Sequence, residues 1–88
     1  MSAPTTTEEL LAEEYNSIEY AHIKLYHEEK GHYEQGRIVG RFQNDLKLHY
    51  RGYTTTVNLV DNWTLRSYAP VRSTFQRRMI EDELEGEV

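Results

Sequence analysis

The chain contains no cysteine, which excludes a disulfide framework, thiolate metal sites and a cysteine nucleophile. No apolar run approaches the roughly 18 residues that a membrane span needs. The first residues, Met1-Ser2-Ala3-Pro4-Thr5, lack the basic-then-apolar order of a secretion signal. The expectation is therefore a soluble cytoplasmic protein that makes no contact with a membrane. Its 88 residues, 38% of them hydrophobic, suffice for one small domain with a thin core, which a partner or an oligomer would help to stabilise.

Catalytic patterns are also scarce. None of Ser2, Ser17, Ser67 and Ser73 stands in a nucleophile elbow, and no serine–histidine–acid set is marked. Gly36 and Gly40 lack the third glycine and the helix of a phosphate loop. The histidines His22, His27, His32 and His49 do not share the spacing that makes ligands converge on a metal. Asn62-Trp63-Thr64 matches the glycosylation triplet, but no secretion signal accompanies it. The reading is a protein that is not an enzyme and carries no metal or cofactor.

Charge is present in blocks. The formal net charge is −5. Residues 1–36 carry eight acids and two bases, residues 37–78 eight bases and two acids, and residues 79–88 five acids and no base. A basic middle between acidic ends has three readings. The folded surface neutralises itself, the middle binds nucleic acid, or the acidic arms engage a basic protein. Overall acidity argues against unselective nucleic-acid binding, because a polyanion is repelled.

The pattern along the chain favours strands. Residues 1–6 are small and polar and are expected to be flexible. Thr7, followed by Glu8 and Glu9, reads as a helix start, and Leu11, Tyr15 and Ile18 fall on one helical face, so a helix over residues 8–16 is expected. Residues 20–28 fit two periods. The alternation of Ala21, Ile23 and Leu25 with His22, Lys24 and Tyr26 suits a strand, which is preferred. The alternative is a long amphipathic helix ending at Gly31. Residues 32–42 form a second strand with Ile38 and Phe42 on one face, Val39 on the other, and Gly36 and Gly40 marking a bend or bulge. Two-residue alternation continues through residues 46–51, 53–59 and 63–68, separated by turn residues at Gln43-Asn44-Asp45, Arg51-Gly52 and Asp61-Asn62. Pro70 ends the sheet, and Ser73 or Thr74 caps a short C-terminal helix carrying Phe75, Met79, Ile80 and Leu84. The fold expected is α+β and mainly β, a small antiparallel barrel with a helix at each end. Its domain covers residues 7–80, and residues 81–88 form an acidic tail.

The stretch Gly31-His32-Tyr33-Glu34-Gln35-Gly36-Arg37-Ile38-Val39-Gly40-Arg41-Phe42 resembles the second strand of Sm-like barrels. Those strands have a turn glycine, a hydrophobic residue, then a glycine, a base, an aliphatic pair and another glycine. Ile23-Lys24-Leu25 would be their first strand and residues 8–16 their N-terminal helix, with the likeness covering residues 8–68. Any SH3-like barrel can share this pattern. The small bacterial inhibitors of the termination factor Rho follow the same plan at similar length and acidity. The resemblance implies a small regulator or inhibitor of a larger nucleic-acid machine, or a minor subunit of an assembly. It does not imply uracil-type RNA binding. The Arg-Gly pair of such binders would fall near Val60-Asp61, and their base-contacting asparagine has only Asn44 as a candidate, in a different context.

Aromatic residues carry the remaining signal: seven tyrosines, one tryptophan and two phenylalanines. Tyr and Trp combine apolar area with a polar handle and favour interfaces. In the basic middle they interleave with arginine, as Tyr50-Arg51-Gly52-Tyr53 and as Trp63, Arg66 and Tyr68. These six are the candidate binding residues, with Glu13 and Glu14 as secondary candidates. The bland alternative makes Tyr53 and Trp63 core or cross-strand pairs. The expected function is a non-enzymatic module that binds a protein partner. RNA or single-stranded DNA binding through the same segment is the first alternative, and a self-assembling structural subunit is the second.

Overall fold

The computed structural model describes residues 3–86. Its elements are α1 (Thr7–Ala12), α2 (Tyr15–Ile18), β1 (His22–His27), β2 (His32–Phe42), β3 (Asp45–Tyr50), β4 (Tyr53–Asn58), β5 (Trp63–Ala69) and α3 (Thr74–Gly86). The strands form one antiparallel sheet in the order β4-β3-β2-β1-β5. The protein is thus α+β and mainly β. Among the described residues no ladder joins β4 to β5, so the sheet is open rather than a closed barrel. α1 and α2 contribute Leu10 and Ile18 to the core that one face of the sheet buries. The segment before α1 is also engaged: Pro4 is buried, and Glu9 Oε1 accepts from Thr5 N at 2.8 Å and Thr5 Oγ1 at 2.7 Å. The outer ends of the expected flexible N-terminus and acidic tail (residues 1, 2, 87 and 88) lie outside the described residues.

The N-terminal helix starts one residue earlier than its sequence suggests and stops sooner. Thr6 is the cap and accepts from Glu9 N at 3.0 Å. Glu13 and Glu14 then take extended conformations, and four residues of α2 follow as a separate turn. In one continuous helix Leu10 and Ile18 would be about 80° apart around the axis. The break lets both turn to the core, where they are 0% and 1% exposed. Arg41 fills the gap, donating from Nη1 to Glu13 O at 3.0 Å and from Nη2 to Leu11 O at 2.9 Å. It thereby satisfies carbonyls that a helix end leaves open.

The two-period competition over residues 20–28 resolves to a strand. Ile23, Leu25 and His27 face inward while His22, Lys24 and Tyr26 face outward. β-Branched and aromatic side chains suit that half-buried surface. Gly31, at φ 67°, closes the turn into β2, and its N–H donates to His27 O at 2.8 Å. β2 pairs with β1 through residues 32–37, but with β3 only from Arg37 onward. A register shift between Ile38 and Gly40 marks a bulge. The bulge changes which side chains face inward. Arg41 lies opposite core residue Leu46, and Phe42, expected to share the buried face with Ile38, is 73% exposed.

The C-terminal helix runs through the acidic stretch to Gly86, past the boundary expected at residue 80. Ser73 Oγ accepts from Gln76 N at 3.1 Å, and Gln76 Oε1 accepts from Arg72 N at 2.8 Å. This reciprocal arrangement is a variant of the capping box. Of its apolar residues only Ile80 is buried, while Phe75 and Met79 are 74% and 57% exposed. Arg77 Nη1 donates to Glu19 Oε1 at 2.7 Å and fastens the helix beside α2. Among the described residues no helix is long and apolar enough to cross a membrane.

Candidate functional site

The candidate residues do not converge on one site. Tyr50, Arg51 and Tyr53 do come together, because Tyr50 and Tyr53 are cross-strand partners closing the β3–β4 hairpin. Arg51 and Gly52 form its two-residue turn at φ 50° and 82°, the positive values that a type I′ hairpin needs. Tyr53 is 79% exposed, and the Arg51 guanidinium lies 5.4 Å from the Tyr50 ring centre.

Register extends this cluster to β2. Among the described residues, residues 32–36 have a strand partner on the β1 side alone. Ile38 N donates to Ala21 O and Ile38 O accepts from Tyr20 N, each at 2.8 Å, so Ile38 directs its backbone groups towards β1. Antiparallel alternation then turns the backbone of Tyr33 and Gln35 to the unpaired edge. That edge, with Tyr50, Arg51 and Tyr53 opposite and Leu48 and Thr55 between, bounds a groove of about 350 Å³.

Trp63, Arg66 and Tyr68 occupy other places. Trp63 is a cross-strand partner of His27. Its ring meets His27 edge-on at 4.8 Å and His32 at 5.5 Å, while the two histidine rings stack at 5.6 Å. It is thus the packing residue that the bland reading of Trp63 anticipated; Tyr53 fits only the cross-strand half of that reading, since it pairs with Tyr50 but is exposed rather than core. His27 is 2% exposed. Its Nδ1 accepts from Lys30 N at 3.0 Å, which places the proton of the neutral ring on Nε2. Among the described residues that nitrogen has no hydrogen-bond partner, and it lies 3.8 Å from Asp61 Oδ2. Tyr68 packs against the core, and burial, followed by the charge of Glu13, pushes its hydroxyl pKa up. Glu13 and Glu14 cap the ends of α1 and α2, and Glu13's backbone oxygen receives Arg41. Glu14 is exposed and away from the hairpin, in the connection between the two helices.

Arg66 belongs to an arrangement on the outer face of the sheet that the sequence reading missed. Its guanidinium lies 5.0 Å from the Tyr26 ring centre, Tyr26 meets Tyr33 at 4.8 Å, and Lys24 Nζ stands 4.7 Å from the Tyr33 ring. The four side chains form a cation–aromatic–aromatic–cation row, with Glu28 Oε2 3.8 Å from Arg66. Next to it His22, Arg37 and His49 are successive cross-strand partners. Arg37 Nη1 donates to Tyr20 O at 2.8 Å, and His22 Nε2 donates to Gln35 Oε1 at 3.3 Å. The signal for this row was the outward phase of β1, Lys24 and Tyr26, opposite the core residues Ile23 and Leu25.

Among the described residues no group of three or more His, Asp or Glu side chains is placed to hold a metal ion. The chain matches no family model, no curated protein and no solved structure.

Proposed function

We propose that the chain is a non-enzymatic interaction module that binds a protein partner at the β3–β4 end of its sheet. The observation that supports this reading is Tyr53, 79% exposed beside Tyr33 at 52%. Both rings border a groove with an unpaired strand edge. Exposed tyrosines around an arginine provide contact area and hydrogen bonding at low entropic cost. The open edge offers backbone groups to an extended segment. The curved five-stranded sheet is read as the Sm-like or SH3-like plan, and a regulatory or inhibitory role within a larger assembly follows from that likeness. Affinity purification from the native cell, followed by mass spectrometry, tests the reading. One protein should co-purify with the wild type and be lost from the Tyr33→Ala/Tyr53→Ala variant while the melting temperature is unchanged. Retention of that partner by the variant removes the reading.

The row Arg66–Tyr26–Tyr33–Lys24 favours a second reading, single-stranded nucleic acid laid on the outer face, where bases stack on aromatic rings and cations meet phosphates. Oligonucleotide binding that weakens steeply with salt and is lost on Tyr26→Ala and Arg66→Ala supports it. A salt-independent or absent mobility shift excludes it.

A further inference from the structure

A second pocket, about 290 Å³ in volume, lies between α3 and the outer face of the sheet and shares Tyr50 and Arg51 with the groove. The sheet supplies His22, Arg37, His49, Tyr50 and Arg51, and α3 supplies Glu83 with Ile80 and Leu84. Among the described residues, two guanidinium groups, two imidazoles and a phenol thus line the pocket with one carboxylate. Both arginines are held by the fold. Arg37 is anchored by its bond to Tyr20 O, and Arg51 by the left-handed hairpin turn and the Tyr50 ring. Among the described residues neither arginine forms an ion pair with a carboxylate, whereas Arg66 and Arg77 do.

The charges identify the chemistry of a ligand. Guanidinium forks match the oxygens of a tetrahedral oxyanion. Glu83 within the same cavity repels an anion that can only accept hydrogen bonds. It accepts a hydrogen bond from one that still carries a proton. Both forms of inorganic phosphate present at neutral pH carry a P–OH group, and sulfate carries none. We propose that this pocket is a binding site for free hydrogen phosphate, with Arg37 and Arg51 neutralising its charge. Glu83 accepts a hydrogen bond from its P–OH group and so selects it against sulfate. A phosphodiester, which lacks the P–OH group, does not meet the requirement that Glu83 imposes. The site therefore stands independently of either reading of the sheet's macromolecular partner.

The test is a titration of the full chain with inorganic phosphate and with sulfate at neutral pH and matched ionic strength, followed by backbone amide NMR shifts. Phosphate should give saturable shifts at the β3–β4 turn and α3, with affinity about tenfold or more above that for sulfate. Glu83→Gln should bring the two anions to within about threefold of each other, because an amide can donate to either. Arg51→Ala, at an exposed turn where folding is not at stake, should weaken phosphate by about tenfold. Equal, non-saturating shifts with both anions overturn the site, and an unchanged phosphate-to-sulfate ratio in Glu83→Gln overturns the role of Glu83.

Discussion

Gly36 on β2 lies directly against the backbone of His49 on β3: a Cβ built on Gly36 would stand 2.8 Å from the His49 carbonyl oxygen. The neighbour is backbone and cannot rotate away. Gly36 also has φ 157°, outside the range that L side chains favour. Gly36→Ala should therefore cost about 2–4 kcal/mol, from overpacking together with backbone strain. That is a large share of the stability of so small a domain. At Gly40 a Cβ would meet Lys47 Cβ at 3.5 Å, an ordinary contact, and Gly40→Ala should stay within about 0.5 kcal/mol of wild type. Denaturant midpoints of the two variants measure the contrast, and equal losses would disprove the close-approach argument.

Arg41 is a structural base within the basic middle segment. Besides Glu13 O and Leu11 O it donates from Nε to Gln43 O at 2.9 Å. One planar group thus ties the end of α1 to the β2–β3 turn. Arg41→Ala should cost about 2 kcal/mol, since charged donors are removed from carbonyls that a helix end leaves open. Arg41→Lys should recover less than half of it, because an ammonium cannot reproduce the fork. Chemical unfolding checks both values. Full recovery by lysine would reduce the contact to simple charge.

The ion pair of Arg77 with Glu19 holds a helix whose own charges oppose it. Arg77 and Arg78 lie towards the positive end of the α3 dipole and Glu81, Asp82, Glu83 and Glu85 towards the negative end, both unfavourable. The 2.7 Å contact, with both side chains about one-third exposed, and the Tyr20 ring 5.1 Å from the Arg77 guanidinium offset that. A double-mutant cycle with Arg77→Ala and Glu19→Gln should give a coupling of about 0.5–1 kcal/mol. Amide exchange should quicken in α3 but not in β1–β3. Uniform quickening across the sheet would show instead that α3 is part of the global folding unit.

Legibility in the sequence followed the strength of local pattern. β3 to β5 were readable because Leu46, Leu48, Val57 and Leu65 alternate with polar neighbours, and turns such as Arg51-Gly52 separate them, whereas β1 fitted a helical period as well. The break at Glu13–Glu14 was not, because it depends on Arg41, about 28 positions away, and on the gain from turning both Leu10 and Ile18 inward. Phe42 was misplaced for a similar reason: Gly36 and Gly40 signalled a bend or bulge in β2, but its position between Ile38 and Gly40, and so the face that Phe42 takes, is set by pairing with β3. For the candidate site, the Tyr50–Arg51–Tyr53 cluster was contiguous in the chain and therefore visible. Tyr33 and the edge of residues 32–36 join it through register alone. Trp63 and Tyr68 looked like docking residues by type, and contact with His27 and with the core identifies them as packed.

Alkaline pH offers a test of how α2 and β5 are packed. Tyr15 has its pKa pushed up to about 12 from 10.0, first by burial and then by the charges of Glu19 and Tyr20. Tyr20 is raised by burial, Glu19 and Glu81, and Tyr68 by burial and Glu13. A folded-state value above the unfolded one means that the fold favours the neutral phenol. That contribution is fully present below pH 10.0 and is lost as pH rises towards about 12. For Tyr15 it should amount to on the order of 1 kcal/mol, well below the full value of the shift because the ring is partly solvated. Denaturant unfolding as a function of pH should show stability declining across that window. Tyr15→Phe should flatten the decline, since phenylalanine keeps the packing and cannot ionise. If Tyr15→Phe leaves the slope unaltered, Tyr15 does not carry the effect, and Tyr68→Phe then determines whether the β5 contact does.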